Sequence, residues 1–453
     1  MTQMLLLFAV FILLFFISLK TSYKGILLSP QVGVMIGFLL SVGYGLYWVE
    51  EYGIDLSGKT MTILILGCSL FVISCSVFQA FMGTFGIGKS KIHENRIIDY
   101  VTHIESWKLL IFIAFQVLVF GWLIIFLVQM GGNGKLSDAI FAFRHANTFT
   151  EDKINLPRVL NLLRRISIAS GYYWGYYLIY TYKKKGRTSK LLLAGNLGLS
   201  IINNIILGAR TGAFIIIVAM VVFAYVLTFI NRKRKIRFKT IIIGVVAFVV
   251  FGFSFKFFGS VLGRDIQFDF AEYIAIYLSA EIKNLDTFVR SNLGGGATLF
   301  NCQTLIYVVN WFSGRFGLPN WSHELDIPFF YYRGHNLGNV STMFYAFYYD
   351  DGMRGVIIYT LIMALLSSYV FVKAINDSRR NSNKFSFSLI LYSYMYFCFL
   401  FSFFSNKFYE HIFNPSIIWF FVCWKVLDFF SSKVKLSMKM IGGTSRNDNT
   451  CIK

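Results

Sequence analysis

Charge is scarce in this chain: only 14% of its 453 residues are Asp, Glu, Lys or Arg, where a soluble domain carries about a quarter. With 56% of the residues hydrophobic, this shortage excludes a soluble multidomain protein and a disordered tail protein. Proline is rarer still, with 5 residues, so a proline-rich linker and a collagen-like fibre are excluded too. The 6 cysteines form no CxxC pair, which suggests neither a zinc site nor a disulfide framework. Acids are few against bases, 22 to 43, for a net charge of +21. In so apolar a chain the excess reads first as a cytoplasmic bias of Lys and Arg. It does not read as a nucleic-acid footprint, and no nucleic-acid partner is expected.

Long apolar runs are what the chain has instead. Crossing a bilayer takes about 20 mostly apolar residues. Eleven runs fit, near 3–19, 30–49, 60–82, 108–130, 166–182, 190–208, 211–230, 240–259, 354–373, 386–404 and 413–430. The first has no basic stretch before it and no small-residue cleavage site after it, so it reads as a retained span. The predicted fold is all-α: a polytopic membrane bundle of about 11 transmembrane helices with a large outside loop containing amphipathic helices.

Sidedness follows from Lys and Arg. A cytoplasmic tail at 433–453, with Lys433, Lys435, Lys439, Arg446 and Lys453, puts the dense clusters KKKGRTSK and NRKRKIRFK on the same side by alternation. Glu50, Glu51, Asp55, Glu151 and Asp152 then fall outside, as does the amino terminus. The organisation is spans one to eight over 1–259 with an outside segment at 131–165, a large outside loop at 260–353, and three spans over 354–432. Within that loop, Phe270, Tyr273, Ile274, Tyr277, Leu278, Ile282, Leu285, Phe288 and Val289 recur at helical spacing. Glu272, Lys283, Asn284, Asp286 and Arg290 take the other face, the pattern of one amphipathic helix on the bilayer or over the spans. Thr298–Phe312 is too short to cross and reads as a second surface or re-entrant helix. Pro157 suits the first turn of the helix leading into the fifth span, with Asn155 as its cap.

Ionisable residues are almost missing from the span interiors, which argues against ion-coupled transport and moves reactive chemistry to the outer mouth. Arg144, Arg158, Arg164, Arg165, Arg210, Arg264, Arg290, Arg315, Arg333 and Arg354 collect there. A guanidinium grips phosphate through a planar fork of donors. The ordinary role of any one of them is pairing with local acids or lipid headgroups. Arg210 stands apart, in the tight turn Gly208-Ala209-Arg210-Thr211-Gly212 between two spans, where an unused charge is costly. Asn203 and Asn204 either line the same cavity or bond between helices. A general base is offered by His335 in Arg333-Gly334-His335-Asn336. His323, His145, Asp350 and Asp351 are the rivals. The Asp pair has no third ligand spaced to join it, so metal-free chemistry is expected. Gly83-Thr84-Phe85-Gly86-Ile87-Gly88-Lys89-Ser90 fits the phosphate-loop pattern, but it follows a membrane span and lacks the strand that such a loop needs.

Two stretches carry a resemblance. GARTGAFIIIV at 208–218 is similar to the small-Arg-small turn that opens a span in bacterial O-antigen polymerases (oligosaccharide repeat-unit polymerases) and, more distantly, O-antigen ligases. GHNLGNVSTMFYAFYYDDGMRGVIIY at 334–359 resembles their His-Asn start, aromatic run and Asp-x-Gly-x-x-Gly lead into the next helix. The resemblance implies a cofactor-free, metal-independent membrane glycosyltransferase of lipopolysaccharide biosynthesis in the bacterial inner membrane. Its site would face the periplasm. It would move a growing glycan from undecaprenyl diphosphate to a hydroxyl of a lipid-linked repeat unit. Membrane lipids and a chain-length regulator protein are the other implied partners. Arg210 and His335 carry over from the resemblance. Arg333, Arg264 and Arg290 join as diphosphate or sugar contacts from position alone. The alternatives are an O-antigen ligase-like transferase and a lipid-linked oligosaccharide flippase.

Overall fold

The computed structural model describes residues 1–86, 104–131, 135–149, 154–181, 186–208, 211–230, 270–298, 301–325, 327–380 and 385–433. These are helical almost throughout. The first four helices are α1 (Thr2–Thr21), α2 (Pro30–Tyr47), α3 (Gly58–Thr84) and α4 (Ser106–Gly131), and α5 (Leu136–Phe149) follows them. Next come α6 (Arg158–Thr181), α7 (Arg187–Ile205) and α8 (Thr211–Ala224), the last continued by a π-helical turn over Tyr225–Ile230. After them lie α9 (Phe270–Leu278), α10 (Ala280–Arg290), α11 (Ile306–Phe316) and the strands β1 (Phe330–Tyr332) and β2 (His335–Gly338). The chain closes with α12 (Phe344–Arg380), α13 (Phe387–Leu400), α14 (Lys407–Ile412) and α15 (Ile417–Lys433).

Six described helices are long and apolar enough to cross a membrane: α1, α2, α3, α4 over Ser106–Met130, the Thr211–Thr228 stretch, and α12 over Phe344–Arg379. Their outward faces carry bare hydrocarbon, such as Leu5, Leu6, Leu13 and Phe16 on α1 and Leu110, Ile111 and Leu118 on α4. The remaining expected runs do form helices where they are described, yet they fall short of that measure. Arg158, Arg164 and Arg165 dilute α6, and Asn196, Ser200, Asn203 and Asn204 dilute α7. The 14 residues of α13 rise only about 21 Å, against about 30 Å of bilayer core. The expected span at 240–259 lies outside the described residues.

Opposite ends of the bundle are fixed by side-chain bonds. At one end Gln3 accepts from the Leu56 amide at 2.9 Å, and Asp286 of α10 accepts from the Ser57 amide at 2.7 Å and the Thr60 hydroxyl at 2.8 Å. The amino terminus, the α2–α3 loop and the 270–290 segment therefore share an end. At the other end Lys24 donates to Asn376 at 2.8 Å, Tyr392 to the Leu28 carbonyl at 2.6 Å, and Lys108 to the Ser431 carbonyl at 3.1 Å. Between the ends, helices approach closely where a residue is small. A side chain at Gly67 of α3 would enter the Phe344 ring of α12, and one at Gly171 of α6 would enter Ser200 of α7. A buried polar seam joins α4, α6 and α7. In it Gln116 donates to the Asn196 carbonyl at 2.9 Å, Ser167 to Gln116 at 3.1 Å, and Asn203 to Ser167 at 2.9 Å.

Three features depart from the sequence pattern. The amphipathic stretch is two helices, broken at Ser279, where φ −139° and ψ −27° leave the helical region. Its polar face is covered, with Asn284 and Asp286 buried, because those side chains bond the hairpin and the start of α3. The ninth span begins ten residues early, at Phe344, and bends at Asp351–Gly352, where Gly352 takes φ 54°, a value only glycine adopts freely. Finally, β1 and β2 pair antiparallel, a two-stranded exception in an otherwise helical fold.

Candidate functional site

The hairpin presents the site. Tyr332 pairs with His335 across a loop of only two residues, Arg333 and Gly334. Both have positive φ, 46° and 86°, as the type I′ turn demands. That turn exposes Arg333 at the tip and starts β2 at His335. The hairpin is held at three points. Asn284 of α10 donates to the carbonyls of Leu337 and Val340 at 3.1 and 2.7 Å. Lys283 donates to the Gly53 carbonyl at 2.7 Å while its ammonium sits 4.9 Å over the Tyr332 ring. Gly53 lies so close to Tyr332 that any Cβ there would collide with the phenol.

His335 Nδ1 lies 2.9 Å from Glu272 Oε1 of α9. A carboxylate only accepts, so this bond puts a proton on Nδ1; in the neutral tautomer Nε2 then carries the lone pair. The side chains are 36% and 23% exposed, open enough for a ligand. The buried Tyr52 ring flanks the imidazole at 5.9 Å and stacks on Trp48 at 5.2 Å. The Tyr52 hydroxyl is buried with no partner, and burial together with the Glu272 carboxylate pushes its pKa above the usual phenol value. Beneath lies Glu281, fully buried with both oxygens unbonded. Burial drives its pKa well above the carboxylate range.

Arg333, Arg290 and Lys283 lie along the hairpin and the 48–57 loop. Arg333 lies at the hairpin tip, its guanidinium 5.2 Å over the Tyr332 ring. Arg290 is tied down, with Nε on Asp286 at 2.7 Å and a second nitrogen on the Asp55 carbonyl at 2.6 Å and carboxylate at 3.4 Å. Its guanidinium thus clamps α10 to the same 48–57 loop that holds Tyr52 and Gly53. Lys283, which the sequence had placed on a solvated face, is drawn into that loop, and burial lowers its pKa. The structure therefore gathers His335, Arg333 and Arg290 around one loop. Arg210 and Arg264 lie outside the described residues. Next to the Arg210 turn, Gly208 is backed by Arg144 and Ile140, and Gly212 by Asn204, whose amide nitrogen is buried and unbonded.

Two of the rival bases, His323 and Asp350, are committed elsewhere. His323 faces the Trp321 carbonyl with Nδ1 at 3.0 Å and the Cys302 carbonyl with Nε2 at 3.1 Å, so backbone carbonyls occupy both ring nitrogens where an acceptor hydroxyl would have to approach. Asp350 accepts from the amides of Gln303 and Thr304 at 2.6 and 3.0 Å, fixing the turn before α11. The phosphate-loop-like stretch begins inside α3, at Gly83 and Thr84, so a helix leads into it where a nucleotide site needs a strand. Residues 87–90 lie outside the described residues. Among the described residues no three His, Cys, Asp or Glu side chains gather closely enough to hold a metal ion.

Glu272 and Tyr52 were not singled out by sequence reasoning. Glu272 reads as one acid on the polar face of a helix. Tyr52 follows Glu50 and Glu51 in a loop without a motif. No protein-family model, curated protein or solved structure matches the chain.

Proposed function

We propose that this chain is a membrane glycosyltransferase of the O-antigen polymerase type. It would span the bacterial inner membrane about 11 times, with the His335 end facing the periplasm. The observation that carries this reading is the His335–Glu272 pair, 2.9 Å apart, beside an exposed arginine on the same hairpin.

The reaction needs a base and a counter-charge. His335 Nε2 takes the proton from the acceptor hydroxyl of a lipid-linked repeat unit as that oxygen bonds to the anomeric carbon of the donor glycan. The bond from that carbon to the diphosphate breaks, and undecaprenyl diphosphate departs with the electron pair. Glu272 keeps the imidazole in the tautomer that can accept and steadies the imidazolium formed, the role of an orienting carboxylate behind a base. Arg333 offsets the growing charge on the leaving diphosphate, with Arg210 and Arg264 proposed to join it. Arg290 also belongs to this set by position, and its bonds to Asp286 and Asp55 give it a second task, holding the loop. Proton transfer by a positioned base contributes about 10²–10⁴-fold.

Deleting the gene tests the reading on a glycan gel. A polymerase loss leaves single repeat units on the cell surface and no ladder. A ligase loss leaves bare acceptor core with lipid-linked polymer accumulating, and a flippase loss strands repeat units on the cytoplasmic leaflet.

A further inference from the structure

A second polar site lies on the far side of the segment that follows the hairpin. Ser341 and Thr342 after β2, Ser405 and Asn406 before α14, and Gln303 before α11 line one cavity together with Leu325 and Ile327. Two of these side chains do nothing for the fold. Asn406 is 5% exposed, and neither its amide nitrogen nor its oxygen has a partner. Ser341 is 1% exposed with its hydroxyl unbonded. A buried polar group without a partner is costly, and here three such atoms border one space.

Among the described lining residues the acid is Glu410, and it is held by Lys407 at 2.6 Å. Burial alone would raise that carboxyl's pKa, and the Lys407 charge overrides burial and lowers it. The cavity measures about 290 Å³ counting its open mouth, but its enclosed floor has the room of a single water. The described lining thus offers a ligand no unpaired charge. What fits is one hydroxyl, which both donates and accepts, on a body lying against Leu325 and Ile327.

We propose that this pocket is a saccharide subsite: a sugar hydroxyl enters the floor, donating to Asn406 Oδ1 and accepting from Asn406 Nδ2 or Ser341 Oγ, while the ring lies on the apolar rim. This deepens the proposed function and rests on it for the origin of the saccharide. Ser341 lies six positions after His335, a span of at most about 20 Å. Asn284 pins the chain between them through Leu337 and Val340. The subsite therefore holds a sugar within a few units of the one that reacts, and it measures the glycan rather than the lipid.

The test uses the full chain, purified in a detergent without a sugar headgroup, and saturation-transfer NMR with free glucose, galactose, mannose, rhamnose and N-acetylglucosamine as probes. At least one sugar is expected to bind. Its affinity falls about tenfold or more in Asn406→Leu, the loss of one well-made polar contact. Ser341→Ala, too small a change to unfold the chain, weakens it by a lesser factor, and His335→Ala leaves it intact. No sugar binding to the wild-type chain, or equal binding by the wild-type and both pocket variants, overturns the proposal and leaves the cavity as a buried-water site only. A strain lacking the gene that keeps its glycan ladder, with binding lost in Asn406→Leu, removes the transferase reading and not the subsite. The reverse pair of results removes the subsite alone.

Discussion

His335 Nδ1 and Glu272 Oε1, 63 residues apart in sequence, meet at 2.9 Å because two unrelated local preferences place them. The Arg333–Gly334 turn sets one, and the register of α9 sets the other. Glu272→Gln keeps the shape of the side chain but lets the amide nitrogen, a donor, face the ring and favour the wrong tautomer. Polymerisation should fall by at least about tenfold, and by less than in His335→Ala, for which the expected loss is about 10²–10⁴-fold. Rates from purified protein check both. Equal, near-normal rates would detach Glu272 from the chemistry.

Asp286 is the joint between α10 and α3. It is buried and accepts from Ser57, Thr60 and Arg290. Bonds to a charged group contribute about 1.5–3 kcal/mol, so Asp286→Asn should lower unfolding stability in detergent by about that much. Arg290 is half exposed but its partner Asp286 is buried, so Arg290→Ala takes one donor from a buried carboxylate and should also lower stability, by about 1–3 kcal/mol. A fall in polymer yield beyond that stability loss would mark Arg290 as a diphosphate contact as well as a clamp.

Glu281 makes stability depend on pH in a set direction. Its folded pKa is raised by burial, so the folded state holds a proton that the unfolded chain releases above about pH 4.3. The contribution is fully present below that value and is lost as pH rises toward the raised folded pKa. Melting temperature should drop from pH 5 to pH 9 in the wild type, and Glu281→Gln should flatten that slope. Identical slopes would show that the carboxyl is not buried as described.

Gly67 tests the packing that carries the hairpin's anchor. Its Cα faces the Phe344 ring at the start of α12. Gly67→Val overfills that contact, which costs about 1–3 kcal/mol in a well-packed core. Thermal unfolding should show the loss, and Gly58→Ala, with open space around it, should not.

Much of this architecture was legible in the sequence, and the reasons for the rest are specific. Apolar run length located the six helices long enough to cross a membrane, since hydrocarbon burial is local information, although the last of them begins ten residues before its run. The polarity of α7 was visible in Asn196, Ser200, Asn203 and Asn204, but their bonds to Gln116 and Ser167 are tertiary. The break at Ser279 was hidden because the apolar period runs through it. His335 could be named from its neighbours in sequence, whereas Glu272 and Tyr52 reach it only through folding. Asn406 and Ser341 sit in the short polar runs SFFSN and NVST, a signal too weak to read before the cavity between them is known.

The most direct measurement is release of undecaprenyl diphosphate from purified lipid-linked repeat units, comparing the wild-type chain with His335→Ala. The wild type should release diphosphate in step with lengthening glycan, and His335→Ala should bind the same lipid yet release it at least about 100-fold more slowly. Equal release by the two proteins, or none by the wild type, would contradict a His335-based transferase.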